Sequence, residues 1–194
     1  MLSSSQVVDL AKKMSIPLVF CNFKSELKNV KLEYNKSYII NMEDAMSKDG
    51  KKNPGSHYTC FQVNKYSNGQ KEGIYFDSFG MPPPKAVEKF VGGKIPHNGI
   101  DIQSLMNSAC GYYCLAFLHF INSYDQRSRD LYSDANHFMA LFDDLEKCHD
   151  HLKNEYTLKH FFRAVDPKLR RPITVGEGPA NPDTIVTEDE DFKK

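Results

Sequence analysis

Twelve consecutive residues, Cys110 to Ile121, constrain this chain more than any other stretch. They read Cys-Gly-Tyr-Tyr-Cys-Leu-Ala-Phe-Leu-His-Phe-Ile, and His119 is the one ionisable imidazole among them. Helical spacing puts Cys110, Cys114, Phe117, Leu118 and Ile121 on one face, which predicts a buried helix beginning near Cys110. The strongly apolar part, Cys114 to Ile121, is far shorter than the roughly 20 residues a bilayer span needs. No membrane association is expected.

The segments around it supply material to cover such a helix. Ser3-x-x-Gln6 forms a capping-box pattern ahead of Val7, Leu10, Ala11 and Met14, which predicts a short amphipathic opening helix stopped by Pro17. Tyr38 to Met42 reads as a strand. His57 to Val63 and Gly73 to Phe79 read as a hairpin turning at Ser67-Asn68-Gly69, since Asn and Gly both tolerate positive φ. Ile100 and Ile102 suggest a short strand. Phe138, Leu141, Phe142, Leu145 and Leu152 suggest one long helix, and Leu158, Phe161, Phe162 and Val165 a last one ending at Asp166-Pro167. The order of elements predicts an α+β domain over 1–175, a small antiparallel or mixed sheet flanked by helices.

Charge and cysteine content narrow the function classes. The 194 residues carry 25 basic and 25 acidic groups, 40% hydrophobic residues and 26% charged ones, as in a globular chain. Residues 1–100 hold 14 basic against 9 acidic groups, and 176–194 hold 2 against 6. The acidic tail is poor in large apolar groups and is expected to be disordered. Lys24, Lys28, Lys31, Lys36, Lys48, Lys51 and Lys52 offer at most a weak DNA contact, short of the basic stripe of a dedicated nucleic-acid binder. The first residues show no signal-peptide pattern, and the cysteines number five, so a secreted disulfide scaffold is not expected. The thiols read as mostly reduced and intracellular.

Four residues form a chemical pattern. His57 opens one hairpin strand and Asp77 lies on the return strand, so the hairpin brings them together. Gln103 precedes Cys110 by seven residues, and Cys110 starts the buried helix. A helix N-terminus favours thiolate over thiol, and a neighbouring imidazole strengthens that preference and can protonate a leaving amine. A carboxylate on the far ring nitrogen fixes the tautomer. An amide such as Gln103, with the Cys110 N–H, suits a developing oxyanion. Gly111 is expected to leave room for a substrate backbone.

Ser56-His57-Tyr58, Tyr75-Phe76-Asp77-Ser78-Phe79-Gly80, and the run from Ile102-Gln103-Ser104 through Ser108-Ala109-Cys110-Gly111-Tyr112-Tyr113-Cys114 to Phe117-Leu118-His119 resemble the adenovirus-type maturation cysteine proteases. Relatives of that kind occur in Maverick/Polinton elements and virophages, and the SUMO-protease clan shares the His, Asp, Gln, Cys order. The similarity spans about Ser56 to Phe120, with a fainter likeness at Phe20-Cys21-Asn22-Phe23. It implies an adenain-like, SUMO-protease-like fold with the cysteine on a central helix and the histidine on the sheet. It also implies His57 as general base and acid, Asp77 as its orienting partner, Cys110 as nucleophile and Gln103 in the oxyanion hole. The implied substrates are capsid precursors cut at glycine-containing sites, and the implied setting is the virion and infected cell. The implied enzyme is a monomer and needs no metal or organic cofactor.

The chain departs from that family at several points. Asp77 stands where Glu is typical, Tyr58 where Trp is common, and no cysteine lies between Cys60 and Cys110 to anchor a disulfide-linked activating peptide. DNA and a viral peptide activate the adenoviral enzymes. Here such a peptide would have to attach through Cys21 or Cys148. Val91-Gly92-Gly93-Lys94 resembles a self-processing site. The alternatives are a deubiquitinase or deSUMOylase-like isopeptidase, an inactive interaction module, and a metal-binding cluster of Cys148, His149, Asp150, His151 and His160, whose spacing fits no standard zinc pattern.

Overall fold

The computed structural model describes residues 1–123, 130–144 and 151–165. Four strands form one sheet in the order β1 (Leu18–Phe23), β2 (Lys36–Asn41), β3 (Tyr58–Lys65) and β4 (Lys71–Phe76). β1 runs parallel to β2, while β2–β3 and β3–β4 are antiparallel. The helices are α1 (Ser4–Lys13), α2 (Lys85–Val91), α3 (Cys110–Asn122), α4 (Leu131–Met139) and α5 (His151–Val165), with a 3-10 turn at Lys24–Asn29. None of the described helices is long and apolar enough to cross a membrane.

Strand alternation divides the interior in two. Ile39, Cys60 and Phe76 share one register row and face α1, α3, α4 and α5, forming the larger core. Tyr38, Phe61 and Tyr75 form the next row and face the other way, toward α2 and the 3-10 turn. Aromatic contacts link the layers. The Phe76 ring stacks on Phe117 of α3 at 4.5 Å, and on the other face Tyr38 makes a T-shaped contact with Phe90 of α2 at 5.4 Å. The apolar run identified above becomes α3, and every residue from Cys110 to Leu118 is buried. A polar pin fixes the far end of α3, where Ser37 Oγ and Asn122 Nδ2 both donate to Gln62 Oε1, at 2.7 and 2.9 Å.

The capping box at Ser3 and Gln6 forms as expected, with both reciprocal bonds present. The β3–β4 hairpin closes at Gly69, whose φ of +85° needs a glycine, while Asn68 Oδ1 accepts from the Gln70 N–H. Other expectations are corrected. The sheet is mixed, within the expected α+β class, but the strand that makes it so, β1, was not anticipated and enters parallel to β2 along the edge. Ile100 to Ile102 makes no strand. The Ile102 and Gln103 amides instead both donate to the single Ser78 carbonyl, so no ladder can form, and Ile100 is left exposed. The long helix through Phe138 and Leu152 does not exist as one piece, since α4 ends at Met139 and Leu152 belongs to α5. Helix α2 after the three prolines was also missed. It is only 7 residues long and closes on Gly92 at φ +83°. The tail from 176 onward, Cys148, His149 and Asp150 lie outside the described residues.

Candidate active site

The hairpin places its two ends side by side. His57 directly precedes β3 and Asp77 directly follows β4, and continuing the Cys60↔Phe76 pairing brings His57 opposite Phe79. The His57 and Phe79 rings stack at 4.6 Å. Two residue pairs closer to the sheet, Asp77 reaches diagonally back, and its Oδ1 lies 2.8 Å from His57 Nε2. Nδ1 is thereby left as the ring nitrogen that can serve a reacting group.

Asp77 is held from several sides. Its Oδ1 also accepts from the Phe79 N–H at 2.8 Å, and its carbonyl accepts from the Gly80 N–H at 2.8 Å. The Asn98 side chain grips its peptide groups, accepting from the Asp77 N–H at 2.9 Å and donating to its carbonyl at 2.6 Å. Asp77 is 1% exposed, so the carboxylate faces His57 with almost no competing water. Burial by itself pulls the His57 pKa down. The hydrogen bonds to Asp77 and Cys110 more than reverse that, and lift it to about 9.

Cys110 is the first residue of α3. Its N-cap is Ala109, and no side chain caps the helix end. The positive end of the dipole and the first-turn N–H groups therefore act at the sulfur's own position. The Tyr58 N–H, one residue after the histidine, donates to Cys110 Sγ at 3.4 Å. Cys110 itself is only 2% exposed. One turn on, Cys114 Sγ donates to the Tyr58 carbonyl at 3.4 Å, and burial pushes its thiol well above the ordinary range.

Gln103 is 1% exposed and its carboxamide is locked. Ser78 Oγ donates to its Oε1 at 2.7 Å, and its Nε2 donates to the Asn107 carbonyl at 3.1 Å. An –NH2 group carries two hydrogens, so one remains for another acceptor. All four residues singled out from the sequence thus belong to one connected region. His57 and Asp77 are in direct contact, Cys110 adjoins His57 through its hydrogen bond and the Tyr58 amide, and Gln103 is tied to Ser78, the residue after Asp77.

Gly111 plays a different part from the one expected. A Cβ there would meet Leu2 Cδ1 at 3.3 Å and Tyr58 Cδ2 at 3.5 Å, so its bare side admits the chain's own N-terminal segment. Sequence reasoning also passed over Phe79, Asn98, Ser78 and the Tyr58 amide. Ser78 and Phe79 stood inside the recognised motif, but Asn98, on a connecting loop, had no spacing signal at all. Among the described residues no cluster of His, Cys, Asp and Glu is arranged to hold a metal ion. The chain matches no protein-family model and no curated protein sequence.

Proposed function

We propose that the chain is a cysteine endopeptidase of the viral-maturation type with the adenain-like fold. The observation that carries this reading is the convergence of a buried His57–Asp77 pair on a cysteine at the uncapped N-terminus of a buried helix. A structural histidine needs no cysteine partner, and a packing cysteine needs no imidazole. In the proposed reaction, the Cys110 thiolate attacks the scissile carbonyl carbon while the His57 imidazolium, oriented by Asp77, retains the proton. The oxyanion is met by the Cys110 N–H and the free Gln103 Nε2–H. The carbon–nitrogen bond breaks as His57 protonates the amine, leaving an acyl-enzyme. His57 then takes a proton from water, and the hydroxide so formed releases the acid and regenerates the thiolate.

The 2% exposure of Cys110 supports a narrow approach to the sulfur. A substrate residue with no side chain beside the scissile carbonyl fits such an approach best. This favours glycine on the acyl side, as in capsid-precursor sites. The experiment is cleavage of a proteome-derived peptide library by wild type and by Cys110→Ala, read by mass spectrometry. Cuts confined to wild type, with glycine on the acyl side, are expected. Identical digests from both proteins would overturn the reading.

A further inference from the structure

Helix α5 lies outside the part of the sequence that carried any motif, yet it holds both ends of the loop between Gln103 and Cys110. Asn154 and Glu155 are consecutive, and they are 1% and 3% exposed. Asn154 Nδ2 donates to the Ile102 carbonyl at 3.1 Å, just ahead of Gln103. Glu155 Oε1 accepts from Asn107 Nδ2 at the other end of the loop. Asn107 is the hub, because its Oδ1 accepts from the Ala109 N–H at 3.1 Å and its carbonyl accepts from Gln103 Nε2 at 3.1 Å. One residue therefore sets both the entry into α3, through its side chain, and the direction of the Gln103 amide, through its backbone carbonyl.

Simple packing does not account for Glu155. Burying a carboxyl in an apolar interface costs free energy that a leucine would not cost. Glu155 Oε2 is buried without a hydrogen-bond partner among the described residues, so half of its bonding capacity is forgone. Burial pushes its carboxyl pKa up, with the Asn107 bond and His151 pulling the other way. What the residue provides is a single acceptor at a fixed point, aimed at Asn107.

We propose that Glu155 is a positioning residue, acting through Asn107 to hold the Gln103 amide toward the oxyanion site. The inference rests on the peptidase reading above. Glu155→Leu removes the acceptor but fills the space, and Glu155→Gln keeps an acceptor oxygen. With full-length protein and a peptide from the library, Glu155→Leu is expected to lower kcat about 10- to 100-fold, less than the roughly 10²–10³-fold of deleting an oxyanion donor outright. KM should stay within about threefold, and alkylation of Cys110 by iodoacetamide within about twofold, since neither needs the oxyanion site. Glu155→Gln should return kcat to within about threefold of wild type. The Gln103 side-chain amide signals, followed by ¹⁵N NMR, should shift or broaden in Glu155→Leu and hold their place in Glu155→Gln.

Unchanged kcat and unmoved Gln103 signals in Glu155→Leu would overturn the proposal. So would a joint loss of kcat, alkylation rate and thermal stability that Glu155→Gln fails to relieve, because that is the signature of a purely structural residue. If wild type cleaves nothing, the peptidase reading fails, while the Gln103 signals still decide whether Glu155 orders that amide.

Discussion

Tyr58 touches Cys110 through its backbone, not its ring: its N–H donates to Cys110 Sγ at 3.4 Å, while its phenol oxygen lies 3.0 Å from Ser4 Oγ. Cys114 holds the carbonyl of the same residue. Two cysteines one helical turn apart thus bind opposite ends of one strand residue and lock α3 to β3. Only Cys110 has a histidine beside it.

That asymmetry predicts selective alkylation. Cys114 is 0% exposed with its thiol pushed well up, and burial lifts Cys21 to about 11. Among the cysteines of the described residues, Cys110 should be modified first by iodoacetamide at neutral pH, because it sits beside His57 at a helix N-terminus while burial holds the Cys114 and Cys21 thiols protonated. Peptide mapping after brief labelling checks this. Faster labelling of Cys21 or Cys114 would contradict the assignment of roles.

The His57–Asp77 pair makes stability depend on pH. An imidazole raised from 6.5 to about 9 binds its proton more tightly in the folded chain than in the unfolded one. The resulting stabilisation is complete below about pH 6.5 and is lost as pH rises through about 9, amounting to about 3 kcal/mol. The His57 side chain is 15% exposed, so screening removes little of it. Urea unfolding at about pH 6 and about pH 9.5 should show this loss in wild type and a much flatter response in Asp77→Asn. Asp77→Asn should also lower kcat by about 10²–10⁴-fold.

Gly80 governs the turn behind Asp77. Its φ is +69°, and a Cβ there would lie 2.9 Å from the Ile100 carbonyl carbon, a backbone atom with little freedom to move. Gly80→Ala is expected to cost about 1–3 kcal/mol and to reduce kcat by displacing Asp77. Gly69 has φ +85° but open space around it. Gly69→Ala should therefore cost only the left-handed backbone strain, about 1–2 kcal/mol, and leave kcat unchanged. Thermal melts with parallel rate measurements separate the two.

The pair Gly92-Gly93 ends α2, with both amides donating to the Glu88 carbonyl, at 3.0 and 2.9 Å. A peptidase cleft binds an extended chain, and this segment is wound as a helix terminus. Intact mass after prolonged incubation should therefore show no self-cleavage between these residues. A fragment beginning at Gly93 would refute that.

Local patterns were enough for much of this molecule. The capping box at Ser3, the turn at Gly69 and the burial of Cys110 to Leu118 follow from short-range chemistry, in which each residue's neighbours dictate its conformation. The hairpin likewise makes His57 and Asp77 neighbours, because a tight turn with antiparallel register leaves little choice. Where the pattern was thin, as at the 7-residue α2 or the edge strand β1, long-range packing supplied the stability that propensity lacked. The Ile100–Ile102 segment shows the converse: two β-branched residues in the right spacing stay irregular, because the Ile102 and Gln103 amides both turn to the one Ser78 carbonyl. Tertiary structure alone decided that Gly111 faces Leu2, that Asn98 clamps Asp77, and that Glu155 reaches Asn107 across 48 residues of chain. Those contacts join segments far apart in sequence. Nothing in the local composition of either partner encodes them, since hydrogen bonding across a packed interface depends on where whole elements come to rest.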